Sequence, residues 1–246
     1  MTSNFTIARD KSIIPALDVD TLEKALQIVR ATADIEAIGG YKLGFSLALR
    51  YGLPRAVQEI RAISGKPLIY DHQKAGTDIP DTGADFAAAC KQSGINTVIF
   101  FPQAGPKTQK AWIDAAQAQT LGVIVGVELT GPAYLESDGG YLRADTPEKT
   151  LSNALQNGVR EFVVPGNKPE RIAHYKKLIE SGEAGVALPE GQYAFYSPGL
   201  VAQGGSVTQG AKAAGKRWHA IVGRALALGS EAEIRKAAEG LSAGLG

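Results

Sequence analysis

The chain is punctuated by eight short, largely apolar runs, at residues 13–17, 41–43, 68–70, 97–101, 123–129, 161–164, 193–196 and 220–222. Each is three to seven residues long, the length of a buried strand. Between them the spacing of apolar residues changes from continuous to helical. After the first run, Leu22, Leu26 and Val29 share one helical face, and Asp20 with Glu23 forms a capping-box pattern ahead of it. After the second run, helical stretches are expected at 47–50 and 54–63, and Pro54 suits a first turn. A helix over 82–93 should stop at Gly94, and one over 108–120 should bury Trp112, Ala115 and Ala116. A long connection, 130–145, precedes a helix at 147–156. Asn167 can cap a helix with the face Ile172, Tyr175 and Ile179. Near the end, Ser230 and Glu233 form a second capping box, ahead of Ile234, Ala237, Ala238 and Leu241.

Strands alternating with helices imply parallel strands joined by right-handed crossovers. Eight such units in about 250 residues is the size of a closed (β/α)8 TIM barrel. The expected fold is therefore α/β, one barrel domain spanning 1–246. The rival, an open doubly wound sheet, usually carries a Gly-rich turn after its first strand. This chain has Asp18-Val19-Asp20 there.

Composition narrows the function. With 44% apolar residues and a net charge of +1, the chain can fill a large core and has no basic block, so nucleic acid is not an expected partner. Cys90 is its single cysteine, in an Ala-rich stretch, and rules out an internal disulfide framework. Residues 1–12 lack the apolar core of a signal peptide, and no run is long enough to span a membrane. A cytoplasmic location fits. His72, His174 and His219 are scattered and offer no metal-ligand spacing.

In a barrel of this kind the chemistry sits at the C-terminal ends of the strands. Those ends hold Asp18, then Lys42, then Asp71 with Lys74 and Asp78, then Thr130, the 198–205 loop, and Arg224. A lone D-x-x-K is most often a solvated surface ion pair. Its place at a strand end, with Lys42 inside a neighbouring buried run, points to a site. A lysine between acids stays protonated, which makes it a poor nucleophile and a good proton donor. That favours protonating a developing carbanion over Schiff-base chemistry. The last two strand ends read as a phosphate site: Gly204 and Gly205 for close backbone approach, a helix N-terminus, and Arg224 for a fixed charge. Phosphate sites after strands seven and eight recur in this fold.

These residues resemble the orotidine 5'-monophosphate decarboxylase family, from the first strand to the eighth. Ala16-Leu17-Asp18 matches its first-strand motif, and Lys42 in Tyr41-Lys42-Leu43-Gly44 its second-strand lysine. Asp78-Ile79-Pro80 matches the end of its catalytic motif. Glu128-Leu129-Thr130-Gly131-Pro132 is similar to the segment that touches the pyrimidine. Ser197-Pro198-Gly199 through Gln203-Gly204-Gly205 resembles its phosphate loop, and Val222-Gly223-Arg224 its phosphate arginine. The resemblance implies cofactor-free, metal-free decarboxylation of orotidine 5'-monophosphate (OMP) to UMP, in pyrimidine biosynthesis. Asp18 and Lys42 would hold the ribose hydroxyls, Asp71 would lie against the substrate carboxylate, and Lys74 would protonate C6. Thr130 would contact the base, and Gln203 would bridge base and phosphate. Pro198, Gly204, Gly205, Gly223 and Arg224 would form the phosphate site. Asp78 would enter the neighbouring subunit's site, implying a homodimer.

The family spaces its catalytic motif D-x-K-x-x-D, whereas here it is D-x-x-K-x-x-x-D. In an unbroken strand Asp71 and Gln73 would point inward and Lys74 away. A bulge or early turn after Asp71 is therefore expected, with Gly76 absorbing the second extra residue. Two other readings stand beside this one. The first is a Mg2+-dependent sugar-phosphate lyase or decarboxylase on the same barrel, its acids ligating the metal. The second is a non-catalytic barrel that binds a phosphorylated ligand.

Overall fold

A computed structural model describes residues 5–72 and 76–246. The strands are β1 (Lys11–Pro15), β2 (Tyr41–Gly44), β3 (Leu68–Asp71), β4 (Thr97–Phe100), β5 (Gly122–Gly126), β6 (Glu161–Val163), β7 (Ala194–Ser197) and β8 (Trp218–Val222). They form one sheet in the order β1-β8-β7-β6-β5-β4-β3-β2, every pair parallel. The remaining seam, β1 against β2, is closed by the bridge Ala16↔Lys42 and by the Leu17 N–H donating to the Lys42 carbonyl at 2.8 Å. The sheet is thus the expected (β/α)8 barrel.

Around it lie α1 (Leu22–Thr32), α2 (Phe45–Tyr51), α3 (Leu53–Arg61), α4 (Gly83–Gln92), α5 (Pro106–Ala118), α6 (Thr146–Gln156), α7 (Pro169–Ser181), α8 (Val207–Ala214) and α9 (Glu231–Ser242). The capping box of α9 forms as the sequence predicts. Two predicted caps do not. Thr21, not Asp20, caps α1, accepting from the Lys24 N–H, and Glu23 instead pairs with Arg30 at 2.7 Å. The N-cap of α7 is Lys168, and Asn167 turns its side chain back toward the barrel mouth. In both cases the helix begins one residue later than expected. The strand starting at 13 in the sequence reading starts at Lys11, because the β8 ladder pairs Lys11 with Trp218.

The apolar runs are continuous because both faces of each strand are buried. One set packs against the helices. The other fills the barrel and alternates with it: Ile14, Ile69, Ile99, Ile124, Val163 and Ile221. One step toward the strand N-termini, the same inward phase carries polar residues. Glu161 accepts from the Thr6 hydroxyl at 2.8 Å and from the Tyr196 hydroxyl at 2.6 Å, and Ser12 Oγ lies 2.9 Å from His219 Nδ1. Ile7 lies over this layer and seals it. At the opposite end, the inward phase brings Lys42 and Asp71 to the barrel mouth.

Candidate active site

Three charged side chains meet at the C-terminal mouth. Lys42 Nζ donates to Asp18 Oδ2 at 2.8 Å and to Asp71 Oδ2 at 3.0 Å. Each is placed by its strand. Asp18 is two residues beyond inward-facing Ala16, Lys42 pairs in register with inward-facing Ile69, and Asp71 ends β3. Lys42 and Asp71 are buried, at 4% and 5% exposure. Burial alone would discharge the lysine. The attraction of Asp71 and Asp18 and their hydrogen bonds outweigh it, and the Lys42 pKa is raised. Lys42 is therefore an ammonium at neutral pH, as lysine-between-acids reasoning expects. Gly44 makes the arrangement possible, since a methyl group on its α-carbon would lie 2.0 Å from Asp18 Oδ1.

Above this triad opens a cavity of about 360 Å³, within the range of small-molecule sites. Ile99, Phe101, Val163 and Ile221 form its apolar floor and wall. Thr130, Pro198, Gln203, Gly223 and Arg224 line the remainder. The structure thus brings together Asp18, Lys42, Asp71, Thr130, Pro198, Gln203, Gly223 and Arg224 from six strand ends.

Lys74, with Gln73 and the expected bulge, lies outside the described residues. Gly76, just beyond, has φ +87°. Asp78 is exposed and does not line the cavity; its carboxylate accepts from the Ile79 N–H at 2.7 Å. Ile79 beside it is 58% exposed, unusual for a large apolar side chain. His72 faces the helices, its Nδ1 2.5 Å from the Tyr70 hydroxyl.

The phosphate loop is shaped by hydrogen bonds within itself. The Gly204 N–H donates to the Val201 carbonyl at 3.1 Å, and the Gly205 N–H to the Gly199 carbonyl at 3.2 Å. Neither glycine lines the cavity in this conformation. Gly205 is needed for packing: a methyl group there would lie 2.7 Å from the Gly199 carbonyl and 2.8 Å from that of Gly166. Val201 holds φ +60°, a region that β-branched residues avoid.

Sequence reasoning missed the support behind Thr130. Glu128, 1% exposed, accepts from Lys168 Nζ at 3.0 Å, Arg171 Nε at 2.7 Å and the Tyr175 hydroxyl at 2.5 Å. Burial works against its charge, but these three donors prevail and its pKa is lowered. The signal was present in the sequence: Lys168, Arg171 and Tyr175 are spaced three and four apart, one helical face. Their common target was not, because it lies on another strand end. The network ties the end of β5, which carries Thr130, to α7.

Comparison with known proteins agrees with this arrangement. The chain is 30% identical to the orotidine 5'-phosphate decarboxylase of Methanococcoides burtonii over 214 residues, covering 87% of this chain and 88% of that protein. It is 27% identical to the enzyme of the same name from Thermococcus kodakarensis, with 88% and 89% covered. The crystal structure of orotidine 5'-monophosphate decarboxylase from Methanocaldococcus jannaschii, complexed with the inhibitor BMP, superposes with a TM-score of 0.77 at 26% identity, covering 95% of this chain and 99% of that one. The family model for orotidine 5'-phosphate decarboxylase / HUMPS matches residues 11–239, from the first residue of β1 into α9, and the chain belongs to that family.

Proposed function

We propose that this protein is an orotidine 5'-monophosphate decarboxylase, which converts OMP to UMP and CO2 without metal or organic cofactor in pyrimidine biosynthesis, in the cytoplasm. The observation that carries the reading is the Asp18–Lys42–Asp71 triad beneath a cavity that Gln203 and Arg224 help to line. A phosphate held by Arg224 and the 198–205 loop lays the ribose over Asp18 and Lys42. The base then faces Thr130 and Gln203, and its carboxylate lies against Asp71. Two carboxylates forced together are relieved when one leaves as neutral CO2. The C6–carboxylate bond breaks, its electron pair stays on C6, and the Lys74 ammonium supplies the proton.

The alternative is the Mg2+-dependent sugar-phosphate lyase or decarboxylase that the sequence also allows. In this chain the space between the Asp18 and Asp71 carboxylates, where a divalent cation would be ligated, is taken by the Lys42 ammonium. That favours the decarboxylase. Incubation with OMP, followed by loss of the pyrimidine absorbance, should show turnover that survives a chelator. Absence of turnover would sink the proposal, and turnover abolished by the chelator would favour the metal-dependent reading.

The proposal extends to a homodimer in which Asp78 completes the neighbouring site; exposed Asp78 and Ile79 support it. Lys74→Ala and Asp78→Ala homodimers should each be nearly inactive. Mixed under exchange conditions, they should recover about a quarter of wild-type activity, because half the dimers are mixed and one site of each collects both lesions. No recovery would put Asp78 in its own subunit's site or in none.

A further inference from the structure

The side chain of Asn167 has a buried oxygen with no hydrogen-bond partner, Oδ1. A buried unpaired acceptor is costly, and in native proteins it is rare enough to need a reason. Asn167 lies just beyond β6, between the two loops that carry the base-recognition residues. Its Nδ2 donates to the Thr130 carbonyl at 3.5 Å. Its Oδ1 faces Gly199, at the root of the phosphate loop. A methyl group on the Gly199 α-carbon would lie 2.7 Å from Thr130 Cγ2, 3.0 Å from Gln203 Oε1 and 3.3 Å from Asn167 Oδ1. Three side chains from three strand ends thus converge on one glycine that has no side chain to keep them apart. Both oxygens, Gln203 Oε1 and Asn167 Oδ1, are acceptors, and two acceptors cannot satisfy each other. A half-turn of the Gln203 amide about its last bond replaces Oε1 by Nε2 with almost no displacement of heavy atoms. One Nε2 hydrogen can then meet Asn167 Oδ1, and the other is left for the ligand.

We propose that Asn167 is a positioning residue for substrate recognition, which fixes the Gln203 amide so that its free N–H faces the nucleotide. The inference rests on the decarboxylase reading, since that reading gives Gln203 its contacts with base and phosphate. On it, Asn167 couples the β5 loop to the β7 loop without touching substrate. The energy left unrealised at Oδ1 in this structure becomes available when the nucleotide orders Gln203, so it adds to binding.

A double-mutant cycle tests this, with UMP as the probe and calorimetry as the readout. Asn167→Ala should weaken UMP binding about tenfold in the wild-type background and less than twofold in a Gln203→Ala background. Asn167→Ser, smaller but still polar, should give the same pattern if the alanine variant does not fold. Asn167→Asp keeps an acceptor toward Gln203 and should therefore retain coupling to it, although its added charge weakens binding of the anionic ligand. Equal losses in both backgrounds would make Asn167 merely structural and overturn the inference, as would an unchanged affinity in the Asn167 variants. A wild-type protein that does not bind UMP at all would instead remove the decarboxylase reading, and this inference with it.

Discussion

The two ends of the barrel interior are built from the same strands in the same inward phase, yet they hold opposite kinds of polar layer. At the mouth, Asp71 and Asp18 keep Lys42 charged, under an open cavity. At the base, burial drives each group toward its neutral form. It pushes the His219 pKa down to about 3, with the Arg217 and Arg9 charges adding to the effect, and it raises that of Glu161. There the layer is covered by Ile7, and apart from His219 Nε2 its polar atoms find partners within the protein. The difference is one of compensation. A charge can stay buried where an opposite charge is within hydrogen-bond reach; where the hydrogen-bonding neighbours are hydroxyls and a backbone N–H, as at Glu161, burial favours the neutral form. The mouth is therefore equipped to act on a charged ligand, and the base is equipped only to hold the barrel together.

That contrast breaks most visibly at Lys42. Lys42→Met removes the ammonium that bridges Asp18 and Asp71. kcat/KM should fall by at least about a thousandfold, roughly 4 kcal/mol of transition-state stabilisation. His219→Asn, at the other end, should leave kcat/KM at neutral pH within about twofold, because it touches no part of the cavity. Comparable losses in the two variants would show that the ends are not functionally distinct.

Arg224→Ala asks whether the phosphate end of the mouth contributes to turnover as well as to affinity. It should cost on the order of 2–4 kcal/mol in kcat/KM, by analogy with truncating one partner of a charge pair. Orotidine without its phosphate should be a far poorer substrate, since remote binding energy is used at the reacting carbon. Equal turnover of the two substrates would count against a phosphate site here.

Acid stability probes the base. The folded protein binds a proton at His219 only near pH 3, whereas the unfolded chain does so near 6.5. Stability must then fall as pH drops below 6.5, by about 2 kcal/mol at pH 5 from this group. Glu161, with its raised pKa, works in the opposite direction, so wild type must be compared with His219→Asn under identical conditions. Urea titrations at pH 6.5 and 5 should show the smaller acid loss in the variant; parallel losses would mean that His219 is already protonated in the fold.

An effect of similar size is expected at Glu128, behind the mouth. Glu128→Gln should cost about 1.5–3 kcal/mol at neutral pH, the range for hydrogen bonds to a charged group. Its depressed pKa makes this contribution present above the unfolded value of about 4.3 and lost as pH falls through the folded one. The gap between wild type and variant should therefore close in acid, as thermal melts across that range would reveal.

The barrel and most of the mouth were legible in the sequence for one physical reason. Strand runs buried on both faces announce themselves as continuous apolar stretches, and in a parallel barrel the residue that ends each run is carried to the same rim. Lys42 stood out because it interrupts such a run. Asp18, Asp71, Thr130 and Arg224 stood out as the first polar residues after one. Local rules did less well where two residues compete for one task. Thr21 displaced Asp20 as the cap of α1, and Asn167 gave up the predicted cap of α7 to Lys168, each shift being a single residue that nearest-neighbour patterns do not resolve.

What only the tertiary structure decided is which distant residues meet. Glu128 draws on a helix some forty residues away, and Gly44 matters because Asp18 lies over it. Gly205 matters because two loops press on it, and Asn167 is aimed at a glycine in the following loop. None of these relations has a sequence period, since each depends on the packing of one strand end against the next. The sequence by itself determined the fold, the rim and the charges on it. The closure of the barrel determined that Lys42 sits between two carboxylates rather than beside one, because only there do the ends of β1, β2 and β3 come within hydrogen-bond reach of a single ammonium.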